Sequence, residues 1–421
     1  MDFNYIKRDH YLSELASFRD DDIIKVITGI RRSGKSTLLF EIFVDWLRSQ
    51  GVSDEQIILV DLELGSNAHL LEQKSLYDYI KSKVVPSKQN YILIDEVQNC
   101  QGFQKVVASL HKEGFDVYIT GSNAHVFSGE LATFMTGRYV EIEILPLSFK
   151  EFSDATRGPR ETMLEVYKRY VTYGGFPRIA SYENDSKKIN TYLDSIYNTL
   201  FKKDIIDRNK ISSVPMFEDV MKFVLANIGS PISANSISNF LKSTGKKVNP
   251  HIVDDFLRYL TEAYLVYKVD RYDVKGKEIL RSLGKYYATD IGLRNYLLGY
   301  REMDAGHVLE NIVYFELLRR GYKIFVGKVE NKEVDFVANK GGETIYFQVA
   351  ETARGKETLE RELAPFRMIR DFHKRILLTM DYDPNQTYDG IQHINALEFL
   401  MDGPQNYSGM PDKRKKKDFE M

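Results

Sequence analysis

The chain has few of the residues that would staple it, anchor it or keep it extended. Of its 421 residues only one is cysteine, Cys100. A lone thiol excludes an intramolecular disulfide and predicts a reducing, cytoplasmic setting. No apolar run approaches the length of a membrane span, and the polar N-terminus lacks the core of a signal peptide, so no membrane partner is expected. Bulk charge of one sign is also missing: 58 Lys and Arg face 60 Asp and Glu, a formal net charge of −2. Any nucleic-acid contact must therefore come from local patches. With 11 prolines, 43% hydrophobic residues and no internal repeat, the chain reads as globular, long enough for two or three domains with their own cores.

What is present begins with Gly29-Ile30-Arg31-Arg32-Ser33-Gly34-Lys35-Ser36-Thr37. This fits the phosphate-binding pattern G-x-x-x-x-G-K-[ST]. The β-branched run Ile23–Val26–Ile27 precedes it, and Leu38–Phe43, with helical apolar spacing, follows. A strand, a glycine turn and a helix start bring backbone N–H groups and a positive helix end onto a nucleoside triphosphate. Lys35 is expected between the β- and γ-phosphates, and Ser36 is expected to ligate Mg²⁺, with Thr37 as the neighbouring hydroxyl. Gly29 and Gly34 allow backbone that a Cβ would hinder. Arg31 and Arg32 are read mainly as solvated or facing a partner; Arg32 and Ser33 complete the cofactor-binding set.

A second apolar strand, Tyr91–Ile94, ends in Asp95-Glu96. Asp95 is expected to hold Mg²⁺ through water, and Glu96 to polarise the attacking water as its proton acceptor. A third strand ends in Thr120-Gly121-Ser122-Asn123, where Asn123 or Ser122 would position that water. Arg138 reads either as an arginine finger, on its own or a neighbouring subunit's nucleotide, or as a surface arginine.

Strand-like segments Ile23–Thr28, Ile57–Leu62, Tyr91–Ile94, Val117–Thr120 and Val140–Ile144 alternate with helical ones, which predicts an α/β fold with a P-loop NTPase parallel sheet. Residues 1 to about 20 read as a polar leader. The organisation expected is an ATPase core over 1–150 and a helical segment over 151–212. A winged helix-turn-helix over 213–300 and an α/β domain over 301–402 follow, with a disordered basic tail over 403–421. Gly174-Gly175-Phe176-Pro177 is expected to turn between two helices.

The motifs at Gly29–Thr37, Asp95-Glu96-Val97-Gln98, Thr120–Asn123, Gly137-Arg138, Pro146-Leu147-Ser148-Phe149 and Gly174–Pro177 together resemble one family. It is that of the bacterial and archaeal AAA-type ATPases with a winged helix and a C-terminal restriction-endonuclease-like domain of unknown function. The resemblance covers nearly the whole chain. It implies ATP rather than GTP, Mg²⁺, and a cytoplasmic setting.

Two further readings concern partners. Between residues 242 and 285 ten Lys or Arg stand against six Asp or Glu, a local net of +4, so the winged helix could meet DNA phosphates through Lys242, Lys246, Lys247, Arg258, Lys275 and Lys277. Against this, an inward stripe of Ile252, Phe256 and Leu260 would turn Asp254 and Asp255 outward, which favours a lid or protein contact. In the C-terminal domain, Glu310, Asp335 and Gln348 match the order of a nuclease core, but with an amide for an acid and Ala350 where a lysine is needed. Lys356 is the nearest substitute. An inactive scaffold is expected. A protein partner, DNA or a homo-oligomer remain the open partner readings.

Overall fold

A computed structural model describes residues 5–122, 137–382 and 387–402. The chain forms two compact units, dividing at Pro146–Leu147, with Glu262–Tyr264 counted in the first.

In the first unit, strands β1 (Ile24–Thr28), β2 (Ile57–Asp61), β3 (Tyr91–Asp95), β4 (Asp116–Thr120) and β5 (Tyr139–Glu143) form a sheet in the order β2-β3-β4-β1-β5. Every pairing is parallel, as the alternation of elements predicts. Alternate residues sort to opposite faces. Ile24, Val26, Ile58, Val60, Ile92, Ile94, Val117 and Ile119 face Leu76 and Ile80, and Val106 and Leu110, of the helices Gln73–Lys83 and Phe103–Lys112. Ile27, Leu93, Tyr118 and Ile142 face Leu39, Phe43 and Leu47 on the other side. Each such burial is worth roughly 1.5–3 kcal/mol, so both faces are held.

The expected polar leader is instead a helix, Asp9–Ser17, whose Tyr11 and Leu15 are buried in that second core. The sequence signal was weak because only one narrow stripe of this helix is apolar. Lys25 is buried within β1, its Nζ 2.6 Å from Asp116 Oδ1, which explains a charge inside an apolar strand.

The second unit begins with helices Phe149–Thr156 and Met163–Tyr173. Ser148 with Glu151 and Thr162 with Glu165 form capping boxes that satisfy their first backbone donors. Helices Val214–Ala226, Ala234–Ser243 and Pro250–Glu262 follow. Strands β6 (Pro231–Ile232), β7 (Val266–Asp273), β8 (Glu278–Ala288), β9 (Lys323–Val329), β10 (Lys332–Lys340), β11 (Glu343–Ala350), β12 (Lys374–Thr379), β13 (Thr387–Tyr388) and β14 (Ile391–Asn395) make one sheet, ordered β13-β14-β12-β11-β10-β9-β7-β8-β6. The hairpin β7–β8 is joined to the C-terminal strands by parallel pairing of β7 with β9, so the sheet runs unbroken across residue 300. Helix Ala305–Arg319 is buried from Val308 to Leu317, on all sides, which is why its sequence shows no apolar stripe.

One correction concerns the helix Pro250–Glu262. Ile252 is 46% exposed, and Val253 takes the inward position beside Phe256, Leu257 and Leu260. Asp254 and Asp255 are exposed as expected, and Asp255 pairs with Arg258 at 2.8 Å.

Gly174-Gly175 lies between the helix ending at Tyr173 and the turn Pro177–Tyr182. Its glycines serve a packing need. The buried Asp290 carboxylate accepts hydrogen bonds from Gly175 N at 2.7 Å and Leu293 N at 2.8 Å, and a Cβ on Gly174 would come within 2.2 Å of Asp290 Oδ1. Burial pushes the Asp290 carboxyl up to about 6, opposed by those backbone donors. Nearby, a Cβ on Gly292 would lie 1.9 Å from the Tyr173 carbonyl oxygen. Backbone cannot retreat as a side chain can, so Gly292→Ala should destabilise the protein by ~3 kcal/mol or more. Denaturant unfolding measures this; a loss below ~1 kcal/mol would contradict the packing described.

Candidate nucleotide site

Strands β1, β4 and β3 are neighbours and parallel, so Thr28, Thr120 and Asp95 end together at one edge of the sheet. The loop Gly29–Gly34 follows β1, and a helix opens at Lys35, continuing through wider turns over Leu38–Phe43 into Val44–Ser49. Gly29 has φ +129°, and a Cβ there would sit 2.2 Å from the Ile144 carbonyl oxygen; Gly34 has φ +100°. Neither position admits a side chain without strain. Lys35 is buried at 4% exposure, its Nζ donating to the carbonyls of Gly29 at 3.0 Å and Ile30 at 3.1 Å.

Asp95 is the hub. Ser36 Oγ donates to Asp95 Oδ2 at 2.7 Å, and Thr120 Oγ1 donates to Asp95 Oδ1. The same Thr120 oxygen accepts from Glu96 N at 2.9 Å. Burial raises the Asp95 carboxyl above its ordinary range, opposed by the two hydroxyls. Glu96 adopts φ +50°, a left-handed conformation that costs a non-glycine residue about 1 kcal/mol or more. Its carboxylate receives hydrogen bonds from Gln98 Nε2 and, at 3.3 Å, Ser122 Oγ. Strain and two donors thus fix the direction in which Glu96 points.

These residues fit a triphosphate with magnesium. The Ser33 hydroxyl is fully buried with no hydrogen-bond partner among the described residues, and two positive-φ glycines bracket the loop. The Ser36–Asp95 pair supplies the hard oxygen ligands that Mg²⁺ prefers.

The other expectations fare unevenly. Of the pair left open, Ser122 is buried against Glu96, while Asn123 lies outside the described residues. Thr37 and Arg32 are exposed. Arg31 is not solvated: it is buried, and its Nη1 meets Glu63 Oε1 at 2.9 Å. Arg138 stands before β5, where its carbonyl accepts from Ile24 N at 2.9 Å. Ile24 opens β1, whereas the phosphate loop follows its other end, one strand length or on the order of 13 Å away. Arg138 is therefore at the wrong end of the sheet to serve its own nucleotide.

Sequence reasoning missed several residues. Thr120 carried no signal beyond its place at a strand end. Gln98 follows Glu96 by two positions, which only the turn brings back. Arg8 is buried and donates from Nη1 to the Ser33 carbonyl at 3.1 Å and from Nη2 to the Leu145 carbonyl at 2.7 Å, tying the N-terminal helix to the loop. On β5, Glu141 accepts from Thr28 Oγ1 at 2.8 Å, and Glu143 pairs in register with Thr28.

Comparison with known proteins bears on the family of the chain. An AAA domain family matches residues 21–153, and a domain of unknown function (DUF8612) matches residues 164–304. An uncharacterized protein of Haemophilus influenzae is 38% identical over 401 residues, covering 94% of this chain and 98% of its own. The uncharacterized protein MJ1544 of Methanocaldococcus jannaschii is 30% identical over 365 residues, covering 81% and 78%. The chain belongs to this family of AAA-domain proteins. Among solved structures, the Walker-type ATPase PABY2304 of Pyrococcus abyssi is similar at 14% identity and TM-score 0.49, over 69% of this chain and 95% of that one. Cdc6p of Pyrobaculum aerophilum is similar at 12% identity and TM-score 0.28, over 74% and 97%. Among the described residues no helix is long and apolar enough to cross a membrane.

Within the AAA domain, burial and then the charge of Glu141 push Glu143 up to about 8. A carboxyl raised on folding binds more protons in the native state, so its contribution declines as pH rises from its ordinary range through 8. Glu143→Gln removes that loss. The variant should gain stability relative to the parent between pH 5 and pH 8, by on the order of 1 kcal/mol or more, in urea unfolding series. A difference independent of pH would contradict the assignment.

Proposed function

We propose that the chain is an ATP-binding protein and Mg²⁺-dependent ATPase that works as a molecular switch or motor. The observation that carries this reading is the hydrogen-bonded link Ser36–Asp95–Thr120, with Asp95 and Thr120 buried, together with a buried Ser33 hydroxyl that has no partner among the described residues. Backbone N–H groups of Gly29–Gly34 and the ammonium of Lys35 bind the phosphates, with Lys35 exchanging its loop carbonyls for phosphate oxygens. Ser36 and Asp95 would hold Mg²⁺, which would supply positive charge to the phosphate oxygens. Glu96, aimed by Gln98 and Ser122, orients the attacking water and accepts its proton at the carboxylate. Thr120 holds Asp95 and the Glu96 backbone in one geometry, so metal and water are set together. Arg138 can complete a site only on a neighbouring subunit, which goes with a homo-oligomer.

The nucleotide state would then reposition the second unit, read as a winged helix followed by a restriction-endonuclease-like domain, for a protein partner. The alternative, an ATP-gated DNA-binding protein or nuclease, is less well supported. Lys246 is engaged with Asp219, Arg258 with Asp255, and Asp254 is exposed on the helix that would enter a groove.

Lys35→Ala should lower ATP affinity at least ~100-fold, or ~2.7 kcal/mol, in calorimetry. Glu96→Gln should bind ATP as the parent does while turnover falls on the order of 10²–10³-fold. Parental ATP affinity in Lys35→Ala would refute the site, and parental turnover in Glu96→Gln would refute the role of Glu96.

A further inference from the structure

The second unit buries a charge cluster that the nucleotide reading does not use. Glu310 lies on the helix Ala305–Arg319, Glu333 and Asp335 on β10, and Gln348 on β11. Into their midst β8 sends Lys285, 2% exposed, with Nζ 2.8 Å from Glu310 Oε1, 2.8 Å from Glu333 Oε1 and 3.7 Å from Asp335 Oδ1. Lys356, the substitute expected from the sequence, is instead exposed at the start of its helix.

We propose that Lys285 is the resident cation of this site: its ammonium fills the place that a divalent metal ion would take among Glu310, Glu333 and Asp335, and keeps metal out.

An ammonium carries three N–H donors, and here three carboxylates from two elements surround it, as they would surround a metal. Other groups that need no metal also lie against these carboxylates. Tyr287 OH donates to Glu310 Oε1 at 2.7 Å, and Val349 N to Asp335 Oδ2 at 2.8 Å. His307 Nδ1 is 3.6 Å from Glu310 Oε2, and Arg271 Nη2 is 4.0 Å from Glu333 Oε2. Gln348 directs its amide at Asp335 N and Glu362. The three carboxylates around the Lys285 Nζ favour the charged ammonium. Two departures from a metal-dependent core therefore compensate each other. An amide replaces one acid and a lysine enters the acid set, and both lower the demand for a dication. Metal entering beside Lys285 would meet like charge in a dry site.

The test uses the full chain carrying Asp95→Asn, which silences metal at the nucleotide site, titrated with Mn²⁺ alone. This parent should show no Mn²⁺ site that depends on Glu310. Lys285→Met should gain one at least tenfold tighter than anything in the parent, and Asp335→Asn added to it should lose it. Mn²⁺ should also raise the melting temperature of the Lys285→Met variant and not that of the parent. Mn²⁺ bound by the parent and abolished by Glu310→Gln would overturn the proposal, whatever the lysine variants do. So would the absence of any gained site or metal-dependent stabilisation in both Lys285→Met and Lys285→Gln.

Discussion

A single buried carboxylate, Asp95, organises the candidate nucleotide site. It ends β3, takes a hydrogen bond from Ser36 at the start of the helix after the phosphate loop, and takes another from Thr120 at the end of β4. Burying a carboxylate is costly unless donors surround it, and these two hydroxyls are the donors that make the position tolerable. The parallel sheet makes the meeting possible. With β1, β4 and β3 adjacent and running the same way, their carboxyl ends deliver loop, hydroxyl and carboxylate to one edge. Glu96 inherits its direction from the same hub, because its backbone N–H is held by the oxygen of Thr120 that also bonds Asp95.

The parts of this arrangement that depend on short spacing were legible in the sequence. A glycine loop between an apolar strand and a helix start announces itself, and so does an apolar run that ends in Asp95-Glu96. The central strands β1, β3 and β4, buried along their whole length, read as largely apolar segments, and all five strands of the first sheet were placed to within a residue or so. Register between distant strands was not legible. Thr120 lies level with Asp95 only because Ile94 pairs with Ile119. The alternatives for Arg138 stayed open for a related reason: only the parallel pairing of β5 with β1 shows that a residue preceding β5 sits beside the start of β1 and away from its loop. Arg8 lay in a segment with too narrow an apolar stripe to look structured.

The second unit shows the same division. Its glycine pair was marked by a turn signal. The reason for that pair, a carboxylate from Asp290 more than a hundred residues later, belongs to tertiary packing. Likewise the missing lysine of the acid cluster could not be found by looking along β11, because it arrives from β8 through the pairing of β7 with β9. In both cases a buried charge is satisfied by a partner that only the sheet's topology brings near.

The most direct test of the account is the magnesium dependence of ATP binding in the parent and in Asp95→Asn. Calorimetry with Mg²⁺ and with EDTA gives four affinities. Magnesium should strengthen ATP binding to the parent at least tenfold, and Asp95→Asn should lose most of that gain while keeping its metal-free affinity. Equal magnesium enhancement in both proteins would contradict the placement of the metal at Asp95, and with it the role assigned to the hub.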